Sequence, residues 1–163
     1  MTHQPDGAWY YQQIELGYNY RMTDLQAALG LSQMDKLDAF IEQRHSIATR
    51  YNAMLIDLPV TRPYQHPDTY SALHLYIVRL KLEQISVDHS TVFDRMRAHG
   101  IGVNLHYIPI HLQPYYRRLG FKKGDFPNAE QYYAEAISIP MYSALTFEQQ
   151  DQVLDSLRRS LSK

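Results

Sequence analysis

The sequence contains no cysteine, which excludes disulfides and thiolate-ligated zinc. No apolar run approaches the roughly 20 residues that a bilayer-spanning helix needs, so no membrane is expected as a partner. The opening MTHQPDGAWYY has neither the basic stretch nor the apolar core of a secretory signal, and a cytoplasmic chain is the expectation. An excess of one charge is missing too, since 16 Lys and Arg stand against 17 Asp and Glu. The basic doublets Arg117–Arg118, Lys122–Lys123 and Arg158–Arg159 are isolated, whereas a nucleic-acid surface wants a dense cationic stripe; no nucleic acid is expected. Glycine is scarce, and the GIG at 100–102 lacks a P-loop or dinucleotide pattern around it. No serine or threonine lies in a nucleophile-elbow context.

What is present is enough for a packed domain: 163 residues, 45% of them hydrophobic, can bury a sizeable core. The chain is rich in tyrosine (14) and histidine (8). Tyrosine joins an apolar ring to a polar tip and suits core edges, interfaces and ligand pockets alike. The histidines raise the question of a metal. His106 and His111 lie close in sequence, but no HExxH and no third ligand accompany them, and zinc needs firm geometry from three or four protein ligands. No metal site is expected.

Residues 1–22 read as an irregular aromatic lead-in with Trp9, Tyr10, Tyr11 and Tyr18, an apolar load heavy for a solvated tail. Residues 23–163 read as one α/β domain. Thr23 and Gln26 make a capping box, and Leu25, Ala28, Leu29, Leu37, Phe40, Ile41, Ala48, Tyr51 and Leu55 recur at helical spacing. One long helix is therefore expected, ending at Leu58-Pro59. Residues 72–82 read as a strand, about Ser90–His99 as a helix stopped by Gly100, and Gly102–Tyr107 as a second strand. IPIHLQPYYRRLGF is too proline-punctuated for more than a short helix. Asn128–Ala136 (helix), Ile137–Ile139 (strand) and a last helix opened by the capping box of Thr146 and Gln149 complete a small α/β layer structure.

Two polar clusters stand out. In Leu16–Asp24, Asn19 and Arg21 sit beside two tyrosines just ahead of a capped helix. Helix N-termini favour anions, and arginine suits a carboxylate or phosphate. On composition alone a plain structural turn, with Arg21 paired to a nearby acid, is the favoured reading. In Asn104–His111, polar and ring-bearing residues gather where a strand gives way to a loop, a common place for a ligand. Here too a bland reading stands, with His106 as a hydrogen-bonded core histidine.

At these segments the sequence resembles a known family. LGYNYRMTDLQAALGLSQ and GIGVNLHYIPIHLQPYY, with GDFPNAEQYYAEAISIPMY and LTFEQQDQVLDSL, are similar to the DegT/DnrJ/EryC1/StrS sugar aminotransferases over nearly the whole chain from about Trp9. The likeness implies the C-terminal small domain of a fold-type I pyridoxal-phosphate (PLP) enzyme, preceded by a long helix. Such enzymes are usually homodimers. It implies transfer of an amino group from glutamate to C4 of a UDP-linked 4-keto-6-deoxy sugar, as on the pseudaminic acid route. Another nucleotide sugar is the alternative within the class, and a non-catalytic dimerising or sugar-nucleotide-binding module the alternative outside it. By resemblance Asn19 reaches the cofactor phosphate of the partner subunit, and Arg21 meets an anionic group of a substrate. Asn104, His106, Tyr107, Ile108 and His111 line the nucleotide-sugar pocket. None of Lys36, Lys81, Lys122, Lys123 and Lys163 matches the family's PLP-lysine context. The lysine is therefore expected upstream of YNYR, and the chain alone is expected to be inactive.

Overall fold

The structure is a computed structural model that describes residues 15–18 and 20–162. The chain divides into two compact units, residues 1–37 and 38–163.

In the first unit, helix α1 (Asp24–Met34) starts at the anticipated capping box: the Thr23 hydroxyl accepts from the Gln26 N–H, and the Gln26 side chain accepts from the Thr23 N–H. None of its residues is buried. The expected single long helix is broken at Asp35–Lys36, and α2 runs separately over Leu37–Met54. Near the end of α1 the Ser32 hydroxyl bonds back to the Leu29 carbonyl, a local competitor of helical hydrogen bonding. With no buried face in α1, packing does not offset that competition.

The second unit holds the core. Strand β1 (Val60–Thr61), which the sequence does not announce, pairs antiparallel with β2 (Tyr76–Leu80), and β2 pairs antiparallel with β3 (Ala136–Ile139). The strand order is β1-β2-β3. Tyr76, Val78 and Leu80 point into the core from one face of β2, as the period-two pattern requires. The strand is shorter than the expected 72–82. The Arg44 guanidinium gathers the carbonyls of Leu73, His74 and Met141 at 3.1–3.2 Å, which takes residues 73 and 74 away from ladder pairing, and Leu73 adopts a positive φ of 49°.

Helix α3 (His89–Ala98) is capped by Asp88, whose carboxylate accepts from the Thr91 N–H at 2.7 Å. It ends at Gly100, whose φ of 81° is the left-handed stop that glycine supplies. After it come a short helix α4 (Pro114–Arg118), α5 (Pro127–Glu135) and α6 (Phe147–Leu161). Helix α6 starts at the Thr146–Gln149 capping box, buries Val153, Leu154, Leu157 and Leu161 in the core and packs against α3. Tyr51 and Leu55 of α2 and Val92 and Met96 of α3 complete that core.

The expected strand over Gly102–Tyr107 is not formed. Asn104 alone pairs with Ser138 of β3; the loop touches the sheet at that point and then turns away. Among the described residues no helix is long and apolar enough to cross a membrane.

Candidate functional site: the loop over β3

The loop from Ile101 to Leu112 carries most of the residues nominated above. It is tied down at its start. Ile101 donates to the Met96 carbonyl, and buried Val103 packs in the core. Asn104 and Ser138 exchange backbone hydrogen bonds of 3.1 and 2.8 Å. The Asn104 side-chain oxygen accepts from the Leu105 N–H at 2.8 Å, which fixes the amide and leaves its NH2 end at the exposed surface.

His106 is half-buried and its Nδ1 lies 2.7 Å from the Ser138 hydroxyl. The His106–Tyr107 peptide is cis, and the two rings meet edge to face with centroids 4.6 Å apart. Tyr107 is 73% exposed and Ile108 45% exposed. Asn104, His106 and Tyr107 thus present an amide, an imidazole and a phenol from one loop.

His111 behaves differently. It is buried, and its Nε2 lies 2.8 Å from Glu130 of α5. The same Glu130 oxygen accepts from the Gly124 N–H at 2.7 Å. That backbone bond first, and the His111 bond second, hold the Glu130 carboxyl below its ordinary value. The pair pins both ends of the excursion between residues 111 and 130. The His111 ring also meets that of Phe126 at a tilt, with centroids 4.8 Å apart, and lines an apolar cavity of about 350 Å³ with Pro109, Ile110, Tyr116, Phe121 and Phe126. Its ring therefore shapes the loop and forms a wall.

Arg21 lies in the first unit on an open pocket with Met22, Thr23 and Asp24, ahead of α1. Among the described residues it pairs with no carboxylate, unlike the Arg50–Asp151 and Arg158–Asp155 bridges elsewhere. Asn19 lies outside the described residues, as do Trp9, Tyr10 and Tyr11. No group of three or more His, Asp or Glu suited to a metal occurs among the described residues. Two partners of the nominated histidines were not anticipated, Ser138 and Glu130. The signal for Ser138 was present: a serine inside AISI, a strand whose four residues are all buried, needs a hydrogen-bond partner. Glu130 on α5 gave none, because its partners lie on loops.

The pattern of one family matches residues 2–158, almost the full chain. The chain belongs to the DegT/DnrJ/EryC1/StrS aminotransferase family. It is 36% identical over 156 residues to the spore coat polysaccharide biosynthesis protein SpsC of Bacillus subtilis, covering 94% of this chain and 40% of that one. Its fold matches Spr1654 of Streptococcus pneumoniae in the PLP form with a TM-score of 0.85 and 26% identity, over 94% of this chain and 39% of the other. It also matches PseC of Helicobacter pylori, an aminotransferase of pseudaminic acid biosynthesis, with a TM-score of 0.86 at 24% identity, over 97% and 42%. The first curated relatives are matched over only 40–42% of their length.

Membership raises the question whether these residues can hold PLP. A PLP site needs a lysine, with a carboxylate or arginine facing the pyridine nitrogen. Lys36, Lys122 and Lys123 are exposed on turns. Lys81 lines an open pocket with Asn52, Thr61, Arg62 and Tyr64. That lining holds no acid, and its Arg62 is spent on the Asn52 carbonyl. The described residues of this chain do not fit a complete PLP centre.

Proposed function

We propose that this chain is the part of a PLP-dependent aminotransferase that grips a sugar nucleotide. The whole enzyme would move an amino group from glutamate to C4 of a UDP-linked 4-keto-6-deoxy sugar. Membership of the family supports the reaction class, and the likeness to SpsC supports a place in polysaccharide assembly. The observation that carries the site is the loop over β3, where His106 is bonded through Nδ1 to Ser138 and stands beside the exposed ring of Tyr107 and the Asn104 amide. These are neutral donors and a stacking surface of the kind that orients hydroxyls, phosphate oxygens and a base. Ile108 adds an apolar flank, and His111 supports the loop through Glu130.

PLP, held by a lysine outside these 163 residues, would supply the electron sink for the transfer. Within the chain, Asn19 is proposed to reach the cofactor phosphate of a partner subunit and Arg21 to meet an anionic group of substrate or donor. The homodimer this requires is supported by the apolar residues Leu25, Leu29, Leu31 and Met34, each more than 60% exposed on α1.

The test is a heteronuclear NMR titration of the purified chain with UDP, which detects weak binding. Amide shifts are expected to concentrate at residues 104–111, and H106A is expected to weaken binding about tenfold, the loss of one well-placed hydrogen bond. Shifts located elsewhere, or none at millimolar UDP, would overturn the reading.

A further inference from the structure

We propose that Ser138 is a positioning residue that sets the tautomer of His106, so that the neutral imidazole presents an Nε2–H donor to the nucleotide. The inference rests on the nucleotide reading of the loop. Ser138 is 5% exposed and lies in β3 with three apolar residues. Its register opposite Ile77 places it inside the sheet. Its N–H and carbonyl are both used by Asn104, so β3 fixes the loop by its backbone at one residue and by its side chain two residues later. Three hydrogen bonds of 2.7 to 3.1 Å thus define the segment 104–106.

The direction of the side-chain bond follows from satisfying the hydroxyl. Among the described residues the only partner of Ser138 Oγ is His106 Nδ1. Had Nδ1 carried the proton, it would donate to Oγ and the serine O–H would be left buried with nothing to accept it. An unmet buried donor is costly, whereas an oxygen with spare lone pairs is tolerated. The serine therefore donates to Nδ1, which places the ring proton on Nε2. No described residue bonds Nε2. The phosphate oxygens of a nucleotide are acceptors only, and an N–H donor held at fixed orientation matches them without the desolvation cost of a fixed charge.

The tautomer is read directly from the ring-nitrogen resonances of His106 in the chain at a pH where the ring is neutral, assigned by their loss in H106Q. The wild type is expected to show the Nε2–H form. S138A should lower the ratio of Nε2–H to Nδ1–H about fivefold, the worth of one buried hydrogen bond. S138T keeps the hydroxyl and should restore the ratio. An Nδ1–H ring in the wild type, or the same ratio in wild type and S138A, would overturn the proposal. A UDP titration separates the two claims. If Ser138 acts through His106, the S138A/H106A double variant binds as weakly as H106A alone. Additive losses would instead mark Ser138 as merely structural and contradict the inference. A tautomer that responds to Ser138 in a chain that ignores UDP would leave the positioning standing and sink only the nucleotide reading.

Discussion

Tyr51 and Tyr76 show what part of the high tyrosine content is for. Their rings meet 5.0 Å apart in the core. The Tyr51 hydroxyl donates to the Pro140 carbonyl at 3.0 Å, and that of Tyr76 donates to the Asn52 side chain. Burial pushes the Tyr76 phenol up to about 12 and raises that of Tyr51 as well, so both stay neutral donors at any ordinary pH. Tyr18, Tyr20 and Tyr107 are exposed, and composition could not sort the one group from the other. The loop histidines were equally ambiguous. The reading of His106 as a hydrogen-bonded core histidine holds for the bond but not for the burial: the ring is only half-buried, and the bond to Ser138 leaves Nε2 without a described partner. Glu130 offers a test at this scale. Its carboxyl sits below its ordinary value of about 4.3, first through the Gly124 N–H and then through His111. A lowered carboxyl adds stability above its unfolded value and loses it as pH falls through the folded one. The gap in thermal stability between wild type and E130Q should therefore be largest at neutral pH, begin to close below about pH 4 and vanish only once pH is below the lowered folded value; a gap unchanged down to pH 3 would contradict the loop-pinning role.

At the scale of elements, capping and stop signals were reliable whether or not the helix has a buried face. Both capping boxes, at Thr23 and Thr146, form as anticipated, and Gly100 stops α3. Two of the failures share a cause: tertiary partners overrode a local pattern. Arg44 draws the carbonyls of residues 73 and 74 out of the expected strand, and the 102–107 stretch meets β3 at Asn104 alone. Strand β1 is two residues long, too short for any periodicity to show. The two capping boxes also give a matched pair of predictions. T146A should lower the melting temperature of the chain, since a lost cap costs about 1 kcal/mol and α6 buries Val153, Leu154, Leu157 and Leu161. T23A should leave that transition unmoved, because α1 buries no residue. Equal effects in differential scanning calorimetry would mean that α1 is packed in solution as firmly as α6.

At the scale of the whole molecule, the α/β architecture and the family were legible because long motifs such as LGYNYRMTDLQ and HYIPIHLQPYY carry information that composition does not. What the exposed apolar residues of α1 pack against was not legible, because periodicity marks an apolar face without naming its partner. In the proposed division of labour, this chain would hold the sugar nucleotide through the loop over β3 and the cofactor lysine would be supplied from beyond it. The most direct measurement is reductive trapping: incubate the purified chain with PLP, reduce with borohydride, then take the intact mass and map the peptides. The account predicts no stoichiometric adduct on Lys36, Lys81, Lys122, Lys123 or Lys163. A single clean adduct on any one of them would contradict it, and would make that lysine the centre of an active site within this chain.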